Sequence, residues 1–369
     1  MSNKKIGIVG LGRLGLCLAL NLEKVGYEVY GYDISEDRMN SIKNKSLKTT
    51  EPLVLDLLEK QKYLFLENNC QNLLKKCDVV FVVIATPSKP DGKYNHNYID
   101  NFIENEILRY NNTETKYLII NSTVMPGYTD SVSNRISKLN WKVCYNPEFI
   151  AQGSIIVDQK NPDLVLIGSE DFESSNVVEN IYKNMCENTP SFCKMSNIEA
   201  EICKISLNCF LTTKISFANM IGDICLKAKA NPDVVLSAIS KDTRIGNKYL
   251  KYGFGFGGEC LPRDNRALAI FSRENGIEPT ISVATDEYNK LHLSYQVENF
   301  VKNSSSKEVI LEDGVSFKKG NDIITESQQL EYAKMLRELG YKVIIIEKEE
   351  VIEKVSKMLP GYFQYKVKK

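Results

Sequence analysis

The sequence predicts an α/β protein with an N-terminal doubly wound sheet, a long central helix and a smaller, shortened C-terminal α/β domain. Three observations support this prediction. A glycine-rich turn joins an apolar strand to a helix near the N-terminus, and a series of short apolar segments follows it. The third observation is a stretch from residue 196 to residue 230 that holds no glycine or proline before Gly222.

The first element is the apolar strand 5–9, which leads into the glycine turn, the helical run 16–25 and a second strand, 28–32, that ends at Asp33. Glycines permit a tight turn and the close approach of a pyrophosphate, and the helix N-terminus offers free amides to it. Asp33 can accept hydrogen bonds from ribose hydroxyls and would repel a 2′-phosphate. This part of the sequence therefore predicts a Rossmann-like domain that binds NAD rather than NADP.

Further apolar strands continue the sheet over residues 78–84, 117–121, 142–145 and 164–167. Each ends in a short polar or turn-forming segment, such as Asn146–Phe149. Each such segment taken alone is typical of an ordinary turn. As a set they predict a ligand site at one edge of the sheet, because open α/β sheets bind ligands beyond the carboxyl ends of their strands.

The long helix is predicted to start at a capping box, Ser196–Glu199, and to end before Asn231-Pro232. Lys204 and Asn208 lie four residues apart and so share a helix face. A solvated polar stripe is one interpretation of this pair. The other is a cation and an amide that stabilise negative charge on a reacting oxygen. A helix this long and apolar is also expected to pack against something large, such as a second subunit.

A glycine-rich loop over residues 253–258 leads to Cys260, and Pro262 and Asp264 follow. A cysteine is a strong nucleophile as the thiolate, which nearby cations and helix N-termini stabilise. The loop could therefore hold a thiol against a substrate. The alternative is a buried cysteine beside a turn.

Composition excludes several classes of protein. The chain has 369 residues, and its 47 Lys and Arg balance its 47 Asp and Glu, so a general nucleic-acid binder is not expected. Ten cysteines without a CxxC pair argue against a zinc site, and His96 and His292 are too isolated for a histidine-based metal site. Each histidine is expected to be a surface or helix residue. We see no secretion signal and no apolar run near the ~20 residues of a membrane span, so a cytoplasmic protein with free thiols is expected.

Taken in order, these motifs resemble the UDP-glucose/GDP-mannose dehydrogenase family over residues 4–345. The shared features are the glycine turn, Asn-Pro-Glu-Phe at 146–149, Lys204-x-x-x-Asn208, Arg-Ile-Gly-Asn at 244–247, the cysteine segment 254–264 and Phe-Lys-Lys at 317–319. The segment Glu-Cys-Leu-Pro-Arg-Asp is similar to the UDP-glucose and GDP-mannose branches rather than to the N-acetylhexosamine branch. The resemblance divides the chain into an NAD-binding domain (1–195), a central dimerisation region with the cysteine loop (196–295) and a nucleotide-sugar-binding domain (296–369).

The resemblance implies a four-electron oxidation at C6 of a nucleotide sugar, with UDP-glucose as the first expectation and a homodimer as the assembly. It implies catalytic roles for Cys260, Lys204, Asn208, Asp264, Glu148 and Thr123. The residues that it implies in NAD binding are Gly10, Leu11, Gly12, Arg13, Leu14, Gly15, Asp33, Arg38, Thr86, Thr123, Glu148 and Arg263. The residues that it implies in substrate binding are Phe149, Glu148, Lys204, Asn208, Arg244, Tyr249, Leu250, Gly253, Gly257 and Lys318.

Two departures from the family pattern leave alternatives open. Thr325 stands where the family usually has an arginine that touches NAD, so weaker NAD binding or compensation by Lys319 is expected. The C-terminal region also has room for fewer strands than the family's usual domain, which leaves the nucleotide base undecided. GDP-mannose is therefore an alternative substrate. A β-hydroxyacid dehydrogenase that oxidises once, and an inactive nucleotide-sugar-binding protein, are the alternative functions.

Overall fold

The computed structural model describes residues 5–368. The chain divides into two compact units, Met1–Lys204 and Ile205–Lys369. The predicted three-part division of the chain stays a prediction.

The first unit is built on an eight-stranded sheet in the order β3-β2-β1-β4-β5-β6-β7-β8. Its strands are β1 (Ile6–Val9), β2 (Val29–Tyr32), β3 (Leu64–Leu66), β4 (Val79–Val82), β5 (Lys116–Ile120), β6 (Trp141–Tyr145), β7 (Leu164–Ser169) and β8 (Ser191–Met195). Its helices are α1 (Arg13–Lys24), α2 (Glu36–Lys43), α3 (Val54–Lys60), α4 (Cys70–Lys76), α5 (Asn97–Phe102) with a π-helical continuation (Ile103–Ile107), α6 (Tyr128–Arg135), α7 (Ile155–Lys160) and α8 (Phe172–Met185). The predicted doubly wound architecture is confirmed.

The central strands are apolar throughout because helices cover both faces of the sheet. Alternate residues of one strand enter different cores. In β4, Val79 and Phe81 join the core that contains α1, whereas Val80 and Val82 join the core that contains α4. This period of two follows from the opposite directions of successive side chains along a strand. It explains why the sequence of β4 shows no polar alternation.

One expectation about the sheet is wrong. β7 pairs with β6 in the antiparallel direction, with Tyr145 opposite Gly168, so the carboxyl end of β7 lies at the other edge from those of β1 to β6. The six-residue helix α7 between them rises only about 9 Å. That is shorter than a five-residue strand, about 16 Å, so α7 does not return the chain across the sheet as a parallel connection requires.

The predicted long helix is α9 (Asn197–Lys227), and it starts where the capping box places it. The Glu199 carboxylate accepts hydrogen bonds from the backbone N–H of Ser196 at 2.9 Å and from its hydroxyl at 2.7 Å. Within residues 5–368, α9 is one helix long and apolar enough to span a membrane by length and composition, contrary to the sequence-based expectation. Core helices of soluble proteins share this length and composition, and 44% of the most apolar window of α9 is buried inside the protein.

The second unit continues α9 and adds a small parallel sheet in the order β11-β10-β9. Its further elements are α10 (Pro232–Ser240), α11 (Leu261–Glu274), α12 (Thr280–Asn303), β9 (Glu308–Leu311), α13 (Gln328–Glu338), β10 (Lys342–Glu347), α14 (Glu349–Met358) and β11 (Gln364–Val367). The last strand, β11, pairs with β10 in parallel, and the predicted small α/β domain is confirmed.

Candidate functional site

The three glycines of the turn before α1 have different surroundings. Gly10 has φ +96°, and a Cβ there would lie 2.4 Å from the Val83 carbonyl oxygen. A Cβ on Gly15 would lie 1.9 Å from the Gly10 oxygen, whereas one on Gly12 would meet nothing within 4 Å. Gly10 and Gly15 thus allow close packing within the protein, and Gly12 leaves open space at the N-terminus of α1. This space suits a pyrophosphate, so the turn fits NAD.

The acidic residue that follows β2 is oriented by the same turn. One Asp33 oxygen accepts from the Leu11 N–H at 2.7 Å, and the other accepts from the Ser35 N–H at 2.9 Å. Arg38 donates from Nε to the Leu11 carbonyl oxygen at 2.8 Å. An ionised carboxylate has about four acceptor positions, so Asp33 keeps capacity for ribose hydroxyls. Of the other predicted NAD contacts here, Leu14 packs against the core and Arg13 donates to Gln152 at 3.1 Å.

The loops after β4 and β5 are joined to each other beside this turn. Thr86 donates from its hydroxyl to the Thr123 carbonyl oxygen at 2.7 Å. Further along the second loop, the Met125 N–H donates to Nε2 of His96 at 3.2 Å. Burial lowers the pKa of His96 to about 4, which keeps this ring neutral and able to accept. Adjacent strands in the sheet thus bring together two of the predicted site residues, Thr86 and Thr123.

Lys204 and Glu148 form the polar centre of the first unit. Lys204 is 7% exposed, donates from Nζ to the Glu148 carbonyl oxygen at 2.5 Å and lies 4.2 Å from the centroid of the Phe149 ring. Tyr182 donates to the Glu148 carboxylate at 2.9 Å. Burial raises the pKa of Glu148, and the hydrogen bonds from Tyr182 and Asn121 oppose this shift. A carboxyl group with a raised pKa is suited to proton transfer near neutral pH.

Cys260 marks the N-terminus of α11 in the second unit. Cys260 is exposed, and helix α11 begins at the next position, with Pro262 in its first turn. The positive end of a helix stabilises a thiolate. Among the cysteines of residues 5–368, the other nine are buried or half-buried.

Asp264 lies one turn into α11 and is fully buried. It accepts from Nδ2 of Asn208 at 2.6 Å and from Nε of Arg263 at 2.9 Å. The structure thus brings together three of the predicted site residues. Two charge-assisted bonds fix the carboxylate, and they also hold the Asn208 amide in place one turn from Lys204 along α9.

The glycine loop before Cys260 is shaped mainly by the protein itself. A Cβ on Gly255 would lie 2.0 Å from Oδ1 of Asn289, and one on Gly257 would lie 2.4 Å from the Glu326 carbonyl oxygen. A Cβ on Gly253 would meet nothing within 4 Å. We expected glycines that admit a ligand, and Gly253 has room for one, whereas Gly257 is needed for packing against the segment around Glu326.

The remaining predicted substrate residues differ in their surroundings. Arg244 is held by Asp242 through bonds of 3.0 Å and 2.7 Å and is otherwise exposed, and Lys318 is exposed. Tyr249 is 49% exposed with φ +61°, a strained backbone conformation for a tyrosine, while Leu250 beside it is buried. The Thr325 carbonyl oxygen accepts from the Gly258 N–H at 3.0 Å, next to the cysteine loop. The roles of these residues stay predictions.

Sequence reasoning missed the side chains that support these groups. Tyr182 supports Glu148, and Glu201 accepts from the N–H groups of Gly127 at 2.5 Å and Thr129 at 2.8 Å. His292 is a helix residue as expected, but it is buried rather than at the surface. Asn289, His292 and Gln296 lie on one face of helix α12. Their spacing is the sequence signal that could have indicated that they support the loop before Cys260. No group of His, Cys, Asp or Glu within residues 5–368 is arranged to hold a metal ion.

Comparison with known proteins identifies the family. The NAD binding domain of the UDP-glucose/GDP-mannose dehydrogenase family matches residues 4–186, and the central domain of that family matches residues 198–291. The chain is 30% identical over 360 residues to a putative UDP-glucose 6-dehydrogenase of Bacillus subtilis, covering 94% of this chain and 82% of that one. It is 28% identical to GDP-mannose 6-dehydrogenase of Pseudomonas aeruginosa, covering 98% of this chain and 85% of that one.

Solved structures agree with this relationship. A UDP-glucose dehydrogenase from the archaeon Pyrobaculum islandicum superimposes with a TM-score of 0.88 at 27% identity, covering 98% of this chain and 86% of that chain. GDP-mannose dehydrogenase from Pseudomonas aeruginosa gives a TM-score of 0.62 at 26% identity, with 95% and 82% covered. The chain, with its NAD-binding domain, therefore belongs to the UDP-glucose/GDP-mannose dehydrogenase family of oxidoreductases.

Proposed function

We propose that this protein oxidises the C6 alcohol of UDP-glucose to a carboxylate through a covalent intermediate on Cys260. The observation that supports this proposal is the set of reacting groups in one chain: an exposed cysteine at a helix N-terminus, a buried lysine beside a glutamate, and an asparagine bonded to a buried aspartate. The relatives named UDP-glucose 6-dehydrogenase support the choice of sugar.

NAD supplies the hydride acceptor, and two NAD are reduced for each alcohol that becomes a carboxylate. Lys204 and Asn208 stabilise the negative charge that develops on the C6 oxygen, and Glu148 takes part in proton transfer. Loss of the first hydride and of the hydroxyl proton converts the alcohol to an aldehyde, and the Cys260 thiolate adds to the aldehyde carbon to give a thiohemiacetal. Loss of the second hydride makes this carbon a thioester, and water displaces the thiolate to leave the carboxylate. Asp264 acts with Glu148 in handling protons and positioning this water, and Thr123 assists them.

The test is a substrate panel with measured stoichiometry. Purified protein is incubated with NAD and either UDP-glucose or GDP-mannose, and NADH and sugar products are counted. We expect two NADH per UDP-glucose, no free aldehyde and less turnover with GDP-mannose. One NADH per sugar with accumulating aldehyde would contradict the covalent intermediate. Preference for GDP-mannose would select the alternative substrate, and binding without turnover would select the inactive binding protein.

We also propose that the protein forms a homodimer through α9. Phe210, Phe217 and Ile224 recur every seven residues on this helix and are exposed by 65%, 44% and 55%. An apolar stripe of this kind is suited to a partner surface. Light scattering should report a dimer for the wild type and a monomer for Phe217→Asp. The exposed phenylalanine of another helix, in Phe172→Asp, serves as the matched control.

A further inference from the structure

Three polar side chains of α12 hold the backbone of the loop that leads to Cys260. Asn289 accepts from the Phe256 N–H and donates to the Phe256 carbonyl oxygen, both at 2.9 Å. The Gly253 carbonyl oxygen accepts from Nε2 of His292 at 2.7 Å and from Nε2 of Gln296 at 3.1 Å. Since residues 289, 292 and 296 share one helix face, α12 fixes two points of the loop at once.

His292 has an acceptor at each ring nitrogen. A carbonyl oxygen only accepts, so Nε2 donates to Gly253. Nδ1 lies 2.8 Å from Oδ2 of Asp223. The hydroxyls of Tyr252 and Tyr288 donate to the same carboxyl group at 3.0 Å and 2.8 Å. Nδ1 therefore shares a proton with the Asp223 carboxyl group, and this hydrogen bond holds the ring with Nε2 toward the Gly253 carbonyl oxygen.

Both partners of this hydrogen bond are shielded from water. His292 is 1% exposed and Asp223 is 7% exposed. A buried hydrogen bond between these two groups faces no competition from water. The rings of Tyr252 and Tyr288 lie 5.5 Å and 6.4 Å from the His292 ring, so aromatic side chains cover it.

We propose that His292 is a positioning residue for the nucleotide sugar: held by Asp223, it fixes the Gly253 carbonyl and thereby the loop that the substrate contacts. This inference rests on the proposed function, in which Gly253 contacts the substrate. Removing the ring donor leaves the Gly253 carbonyl with the Gln296 hydrogen bond alone and loosens the loop. The cost therefore falls on substrate binding, while the glycine turn that binds NAD is unchanged.

Nitrogen NMR of the wild type tests the protonation state without any substrate. The chain has only two histidines, so ¹⁵N-histidine labelling gives two ring signals, and the spectrum of His292→Gln assigns them. We expect Nε2 of His292 to carry a proton and Nε2 of His96, which accepts from the Met125 N–H, to carry none, so His96 is the internal reference. A His292 ring without a proton on Nε2 would overturn the proposal.

Two variants separate positioning from packing. His292→Gln keeps a donor that can reach the Gly253 carbonyl, whereas His292→Phe keeps an aromatic ring and has no donor. We expect the KM for the nucleotide sugar to rise about tenfold or more in His292→Phe, and less in His292→Gln, with the KM for NAD within about twofold of wild type. Ser294→Ala is the matched control, because it removes a donor of α12 that bonds within the helix, and it should leave the sugar KM unchanged.

The opposite order of the two variants would show that the ring acts only by packing, and it would overturn the proposal. If His292→Phe does not fold, the NMR result and His292→Gln still decide the question. A wild type that reduces no NAD with any nucleotide sugar would defeat the proposed function alone. An active wild type whose His292 carries no proton on Nε2 would defeat this inference alone.

Discussion

The glycine turn of the first unit and the glycine loop of the second unit both need glycine, but the parts of the protein that approach these glycines differ. In the turn, Gly15 makes room for the Gly10 backbone nearby in the sequence, and Gly10 makes room for the Val83 backbone at the end of the adjacent strand β4. In the loop, Gly255 and Gly257 make room for Asn289 and for the backbone of Glu326, which lie far along the chain. The turn therefore depends on its own backbone and on one neighbouring strand of the sheet, whereas the loop depends on the packing of α12 and of the segment before α13.

This difference predicts how each region responds to substitution. A change in the turn should affect the turn and NAD binding alone. A change in the loop, or in the distant side chains that hold it, should affect the presentation of Cys260. Five substitutions and their controls test this comparison, in order of decreasing effect.

Cys260→Ser removes the nucleophile that the loop presents. We expect NADH formation with UDP-glucose to fall at least about a thousandfold, because a hydroxyl cannot replace the thiolate. Cys193→Ser, at a half-buried cysteine of β8, is the matched control and should keep wild-type turnover. A Cys260→Ser protein with intact turnover would instead indicate a single oxidation of the β-hydroxyacid dehydrogenase type.

Gly15→Ala and Gly12→Ala test the turn as a pair. A Cβ on Gly15 would lie 1.9 Å from a backbone oxygen, so we expect the free energy of unfolding to fall by about 3 kcal/mol or more. A Cβ on Gly12 meets no protein atom within 4 Å, so the free energy of unfolding should change by less than about 1 kcal/mol. NAD affinity should nevertheless fall about tenfold or more, since the methyl group enters the space of the pyrophosphate. Urea unfolding and NAD titration measure the two effects, and unchanged NAD binding by Gly12→Ala would place the pyrophosphate elsewhere.

Glu201→Gln tests an exception within the first unit, where one distant side chain holds the loop after β5. Burial raises the pKa of Glu201 from 4.5 to about 7. The folded state holds this proton more tightly, so the contribution to stability is fully present below about pH 4.5 and is lost as the pH rises through 7. Relative to Glu201→Gln, the wild type should lose up to about 3 kcal/mol of unfolding free energy across this window.

Glu199→Gln is the control for that measurement. Its carboxylate is exposed, and hydrogen bonds from Ser196 lower its pKa. Its contribution to stability is therefore present above pH 4.5 and is lost only as the pH falls further. Unfolding followed by fluorescence at several pH values measures both variants. Parallel stability curves for wild type and Glu201→Gln would contradict the raised pKa.

Thr325→Arg is expected to have the smallest effect. The family resemblance predicts an NAD contact from an arginine at this position, and the Thr325 residue is exposed beside the Gly258 N–H. Lys319, the expected compensating cation, is bound to Asp313 at 2.6 Å. We expect the KM for NAD to fall about two- to fivefold because a forked cation is regained. Thr325→Gln adds length without charge, and an equal gain in that variant would rule out the cation as the cause.

Most of the first unit could be predicted from its sequence, because its signals are local. The strand before Gly10, the buried run of β4 and the cap at Ser196 were recognised from composition and spacing within a few residues. The direction of β7 could not be predicted in this way, since an apolar run reads the same in both directions. The short length of α7, the helix between β6 and β7, is the feature that indicates the antiparallel direction of β7.

The sequence by itself determined the glycine turn, the apolar strands β1, β2 and β4 to β6, and the extent of α9. These features depend on backbone rules and on apolar periodicity, which act over one or two turns of chain. Only the tertiary structure decided that Lys204 meets Glu148, that Asp264 meets Asn208 and that His292 holds Gly253. Such pairs join elements distant in the chain, and the free energy that selects them comes from packing whole elements together, which no local pattern encodes.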